Sequence, residues 1–192
     1  MPTINDTLLI NNNVTGAVNY RVSNASGANL MLGGLRVDNP GGAITLQNAD
    51  NVNQTLSIGA QGIDMRRATQ NLTISNTSGT NNVTLNLLGA GAGNWGVNAG
   101  RTLTVNSVIT GTGGLQISPG LAGYGGTVLL GGTNSGTNTF TGATSVTGST
   151  LQLDYATAGN RIDSTAGLTL NRSTLTVQGG ATFTQAVNGL TL

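Results

Sequence analysis

Residues 168–177 read Leu168-Thr169-Leu170-Asn171-Arg172-Ser173-Thr174-Leu175-Thr176-Val177, and the same three-residue unit, apolar–polar–apolar, occurs in them twice. In an extended chain, alternate side chains face opposite sides. Each unit therefore points two aliphatics one way and one hydroxyl or amide the other. Working outward, the unit recurs as Ile44-Thr45-Leu46, Leu56-Ser57-Ile58, Leu72-Thr73-Ile74 and Val83-Thr84-Leu85. It continues as Leu103-Thr104-Val105, Leu115-Gln116-Ile117, Leu151-Gln152-Leu153 and Leu190-Thr191-Leu192. Such strands are too short for a sandwich of ordinary dimensions. Gly- and Asn-rich stretches separate them, residue types that tolerate left-handed backbone angles at corners. Short strands, tight corners and loose repetition predict a solenoid. Its natural form is a right-handed parallel β-helix, in which each coil adds one strand to each face. At about 20 residues per coil the chain makes roughly nine coils, a rod on the order of 45 Å long at about 4.8 Å per coil.

The composition agrees with that reading. The chain has 192 residues, with Gly (31), Thr (30) and Asn (24) the most frequent. Charged residues are 7%, against roughly 25% in ordinary soluble domains. All seven cations are Arg and all six anions are Asp, and Lys, Glu, His and Cys do not occur. Disorder is excluded, because disordered chains pair low hydrophobicity with high net charge, and here the net charge is +1. Collagen is excluded by three Pro and the lack of a G-x-y period. Stacking accounts for the rest: interior columns of Leu, Ile and Val need few aromatics, and like charges repeated at the rung spacing repel. Asn amides are expected to form ladders along the axis at the corners.

From residue 111 to residue 153 the repeat takes a more specific wording. Gly113-Gly114-Leu115 leads through Gly126-Thr127-Val128-Leu129-Leu130-Gly131-Gly132 to Asn138-Thr139-Phe140-Thr141-Gly142, Val146 and Ser149-Thr150-Leu151-Gln152-Leu153. This resembles the autotransporter-associated β-strand repeat. The likeness extends upstream through Gly62-Ile63-Asp64-Met65, Asn71-Leu72-Thr73-Ile74 and Trp95, and downstream to Leu192. It covers residues 30–192 as one continuous solenoid domain, with residues 1–29 as an atypical first coil or N-terminal cap. Three positions depart from the pattern. Ser118-Pro119 through Gly125 predicts a protruding loop, Arg66 and Arg67 stand where small residues are usual, and Ala143 replaces a Gly. The resemblance implies the passenger region of a bacterial protein, secreted and displayed extracellularly at the cell surface. Its work would be structural or adhesive, as an adhesin stalk or as a filament built by head-to-tail association of terminal coils. Surface glycans and other cells are the implied partners.

Enzymatic and nucleic-acid classes find little support in the residues. Without His, Cys, Lys or Glu there is no imidazole base, thiol, Schiff-base amine or disulfide. We therefore expect no enzyme activity, no catalytic residue, no metal site and no cofactor. The alternative is a glycan-binding or glycan-degrading β-helix. Glycoside hydrolysis generally uses two carboxylates, and Asp6, Asp38, Asp50, Asp64, Asp154 and Asp163 include no local pair. Asp38 and Asp64 are the pair that neighbouring coils could bring together. Net charge +1 argues against nucleic acid, and Arg66-Arg67 reads as a solvated turn. No apolar run approaches the roughly 18 residues of a membrane span. Thr-x-Thr pairs such as Thr102/Thr104, Thr137/Thr139/Thr141 and Thr174/Thr176 raise an ice- or crystal-binding lattice, which their irregular spacing counts against. Asn-x-Ser/Thr sequons exceed chance only slightly. Gly89-Ala90-Gly91-Ala92-Gly93 lacks the Gly-Lys-Ser/Thr ending of a phosphate loop.

Overall fold

The computed structural model describes residues 3–22, 29–48, 53–76, 82–89, 93–120, 123–131, 136–156, 159–179 and 184–192. Among the described residues every named element is a strand. In chain order these are β1 (Thr7–Ile10), β2 (Val18–Arg21), β3 (Leu30–Val37), β4 (Ile44–Gln47), β5 (Gln54–Met65) and β6 (Leu72–Ser75). Then follow β7 (Val83–Leu87), β8 (Asn94–Val97), β9 (Thr102–Val105), β10 (Val108–Gly111), β11 (Leu115–Pro119) and β12 (Thr127–Leu130). The chain closes with β13 (Thr144–Thr147), β14 (Thr150–Asp154), β15 (Leu168–Asn171), β16 (Thr174–Gln178) and β17 (Leu190–Thr191).

All strand pairings between these elements are parallel, and they sort into three faces of a β-solenoid. Face A stacks β1, the second half of β3, the second half of β5, β8, β11, β13, β15 and β17. Face B stacks β2, β4, β6, β9, β12, β14 and β16. Face C stacks the first halves of β3 and β5 with β7 and β10. The two long strands turn a corner within themselves. In β3 the register shifts between Leu32 and Gly34, where the chain passes from face C to face A.

The interior columns are those the three-residue units predict. On face A, Leu8, Leu35, Ile63, Trp95, Ile117, Val146 and Leu170 lie in register. On face B, Ile44, Leu72, Leu103, Val128, Leu151 and Leu175 do the same. Burying each such side chain is worth about 1.5–3 kcal/mol, so the columns supply the main driving force. The core is not purely aliphatic: Trp95 and Phe140 are completely buried within it.

Coil length is where the structure departs from expectation. On face B, 23 to 31 residues separate partners on successive rungs, not about 20. Among the described residues seven strands stack there, against the nine coils expected. The physical reason is the third face. Leu56-Ser57-Ile58 and Val83-Thr84-Leu85 lie on face C, Leu115-Gln116-Ile117 and Leu168-Thr169-Leu170 on face A, and Leu103-Thr104-Val105 on face B. Neighbouring units in sequence thus belong to one coil, and their spacing understates the coil length.

Corner asparagines do link successive coils, but not amide to amide. The side-chain oxygens of Asn29, Asn53 and Asn71 accept from the backbone N–H groups of Thr55, Asn82 and Thr102, one rung along, at 2.9–3.0 Å. On face C, past β10, the backbone N–H groups of Thr139 and Thr141 still donate to the Ile109 and Gly111 carbonyls, and side-chain amides add further links. Asn138 Oδ1 accepts from Ile109 N–H and its Nδ2 donates to the Arg161 carbonyl, both at 2.8 Å. Gln185 accepts from the N–H groups of Arg161 and Ile162 and donates to the Ile162 carbonyl. Arg161 itself is buried, donates through Nε to the Asp154 carbonyl and lies 5.3 Å from the centroid of the Tyr155 ring.

Candidate functional site: a polar groove on face A

Outward side chains on face A stand in two columns, because strand alternation is shared by every rung. One column runs Thr7, Gly34, Gly62, Asn94, Gln116, Ser145 and Thr169. Its neighbour runs Leu9, Arg36, Asp64, Gly96, Ser118, Thr147 and Asn171. Glycines at 34, 62 and 96 remove side chains where larger neighbours would otherwise close the surface. A trough results, with a cavity of about 530 Å³ whose lining includes Asp64, Arg66, Asn94, Gln116, Ser145 and Thr147. Ile63 and Ile117 also border the cavity, but their side chains belong to the interior column and are 0% and 2% exposed. A smaller concavity continues it toward Thr7 and Arg36.

Two glycines are required by contact. Gly62 has φ +63°, a left-handed angle, and a Cβ there would collide with the Asn94 carbonyl of the next rung. Gly96 lies under the Arg66 side chain, and a Cβ would meet Arg66 Cγ at 2.5 Å. Arg66 folds back along the turn after β5. Its Nε and Nη2 donate to the two oxygens of Asp64, each at 2.9 Å. These bonds, with backbone donation from Arg66 and the charge of Arg36 opposite, hold the Asp64 carboxyl below its ordinary range against the effect of burial. Gln61 accepts from the hydroxyl of Thr7 across the glycine at 34, a polar brace between the groove and the smaller concavity.

The remaining carboxylates are scattered over turns. Asp38 is paired with Arg36 at 3.0 Å. Asp6 accepts from Thr3, Asp154 from the N–H of Ala156, and Asp163 from Thr165. Asp50 lies outside the described residues. Asp38 and Asp64 do fall on neighbouring rungs, but each is neutralised by the Arg two residues away from it. Among the described residues no cluster of three or more metal-ligating side chains exists, and no helix is long and apolar enough to cross a membrane. Arg66-Arg67 occupies an exposed turn as expected, but Arg66 is an ion-paired part of the groove.

The threonine pairs do not form a lattice. Thr102/Thr104 and Thr174/Thr176 share face B, but the rungs between them carry Leu129 and Gln152 in the second column. Thr139 and Thr141 bond to the face C strand β10 instead. A single column of Thr102, Thr127, Thr150 and Thr174 is continuous. The loop after Pro119 carries Tyr124, 78% exposed, at the corner beside the groove. The sequence pattern singles out none of Asn94, Ser145 and Thr147, and it assigns Ser118 and Pro119 to a protruding loop, whereas they end strand β11. Only the middle position of Leu115-Gln116-Ile117 hinted at an outward amide.

No protein-family model, curated protein or solved structure matches the chain.

Proposed function

We propose that this chain is a non-enzymatic structural and adhesive module, a section of rod displayed extracellularly at a bacterial cell surface. The observation that carries the proposal is the continuity of the columns: one inward line from Leu8 to Leu170 on face A, matched by another from Ile44 to Leu175 on face B. Ladder bonds between rungs and an unbroken aliphatic core make the axis stiff, which suits extension away from a cell. The wording of residues 111–153, similar to autotransporter-associated repeats, supports the same role and location. So does the lack of Cys in a chain built for export. Asp64, the carboxylate in the groove, is engaged by Arg66 and held ionised, which suits binding better than proton transfer.

Self-association fits one further observation. Val177 and Leu190 stand in columns that are buried on earlier rungs, yet are 44% and 55% exposed. In the fibre we propose, a second copy packs on them by β-augmentation. Display of the chain on a non-adherent bacterium tests the function. Clumping or surface attachment is the expected result. A displayed, folded chain that confers neither and degrades polysaccharide would overturn it.

A further inference from the structure

We infer that the face A groove binds a single uncharged polysaccharide chain, laid along the solenoid axis. This deepens the adhesive reading and rests on it for its biological setting. The groove spans β5, β8, β11 and β13, four rungs, or about 14 Å. Across those rungs it presents hydrogen-bonding side chains in two parallel columns: Asn94, Gln116 and Ser145 in one, Ser118 and Thr147 in the other. Amides and hydroxyls repeat at the rung spacing, which is close to the length of one pyranose unit in an extended β-linked chain. A linear glycan thus meets at least one hydrogen-bonding side chain at each of the β8, β11 and β13 rungs.

Charge decides which glycan. Arg66 is spent on Asp64 and Arg36 on Asp38, so the lining offers no surplus cation for a uronate or sulfate. A lipid needs an apolar floor, and the isoleucines bordering this cavity, Ile63 and Ile117, are buried in the core. A peptide strand needs free backbone groups, and those of face A are already paired between rungs. A neutral sugar satisfies all three constraints, with its hydroxyls for the columns. Tyr124, exposed at the corner that follows β11, is placed to stack on a sugar at the groove's rim. Its neighbour Gly125 donates to the carbonyl of Gly148 at 2.8 Å, which fixes this corner beside the end of β13.

Isothermal titration of the full chain with hexasaccharides of cellulose, chitin and xylan, and with hexagalacturonate, tests the assignment. At least one neutral hexasaccharide should bind, hexagalacturonate should not, and disaccharides should bind far more weakly. Gln116→Ala and Asn94→Ala, both at exposed positions, should each weaken binding roughly tenfold while leaving the circular dichroism and Tm unchanged. Tyr124→Ala should reduce affinity less. Failure of all three neutral probes, preference for the acidic one, or equal affinity of Gln116→Ala would overturn the inference. Cell adhesion that persists unchanged in Gln116→Ala would overturn it too, while leaving the adhesive role standing.

Discussion

Arg66 grips Asp64 through two parallel hydrogen bonds, Nε to Oδ1 and Nη2 to Oδ2, and it can do so because Gly96 on the next rung has no side chain. Bidentate guanidinium–carboxylate pairing is stronger and more directional than a single ionic contact. Here it also shapes the groove, since the Arg66 stem covers the floor.

The pair makes stability depend on acid. The Asp64 carboxyl is depressed in the folded chain by Arg66, so its contribution is fully present above the unfolded value of about 3.9 and is lost as pH falls through the folded value. Solvent exposure of both partners keeps the effect modest. Acid unfolding followed by circular dichroism should show a shallower decline for Asp64→Asn than for the parent. Gly96→Ala should push Arg66 aside and return Asp64 toward its ordinary range, as read by carboxyl carbon shifts in NMR. An Asp64 that titrates at the ordinary value in the parent chain refutes the account.

Gly62 is the groove position least able to change. A left-handed angle costs a residue with a Cβ about 1–2 kcal/mol, and the Cβ would in addition strike the Asn94 carbonyl. Gly62→Ala should therefore lower stability by roughly 2–4 kcal/mol in urea titration. Gly167→Ala is the internal control, because nothing lies within 4 Å of a Cβ there and its φ is not left-handed. It should change stability by no more than about 0.5 kcal/mol. Equal effects at the two positions would sink the argument.

Much of this fold is legible in three-residue words, and the groove is not, for one physical reason. Alternation within Leu103-Thr104-Val105 or Leu151-Gln152-Leu153 fixes which side chains face inward, because that rule acts within a strand. Which strand stacks on which depends on coil length, and coil length depends on corners such as the Leu32/Gly34 register shift inside β3. Asn94, Gln116 and Ser145 come from segments 22 and 29 residues apart and become neighbours only through that register. The same holds for Asn138, whose amide meets Ile109 and Arg161 only through the stacking of coils. Nothing in its Asn-Thr-Phe-Thr-Gly wording marks an amide that supplements the backbone bonds between coils. The selective use of Arg and Asp over Lys and Glu has no structural explanation.

Asn138 carries a prediction of its own. Its side chain satisfies the Ile109 N–H on one rung and the Arg161 carbonyl on another, all inside the core. A buried backbone group left unpaired costs about 1–3 kcal/mol. Asn138→Ala orphans both and should lose roughly 2–4 kcal/mol. Asn138→Asp keeps the acceptor and loses the donor, while burying a carboxyl, and should be destabilised with a strong dependence on pH. A loss under about 1 kcal/mol for Asn138→Ala would mean that the amide is not the bridge between coils.

Arg172 offers the opposite case, a position where the native residue is not the most stable one. It has φ +50°, left-handed, at the corner after β15. One rung earlier the corresponding corner, following the Thr147↔Asn171 pair, is taken by Gly148 at φ +56°. The Arg172 side chain is exposed, so truncation forfeits little packing. Relief of the left-handed strain, about 1–2 kcal/mol, exceeds the extra chain entropy of Gly, about 0.5–1 kcal/mol. Arg172→Gly should therefore raise stability by up to about 1 kcal/mol, with Arg172→Asn close behind, since Asn tolerates this region. Arg172→Ala keeps the strain and should gain nothing. Thermal unfolding of the three variants gives the order Gly, Asn, then Ala level with the parent. If Arg172→Ala proves as stable as Arg172→Gly, backbone strain is not what this corner stores.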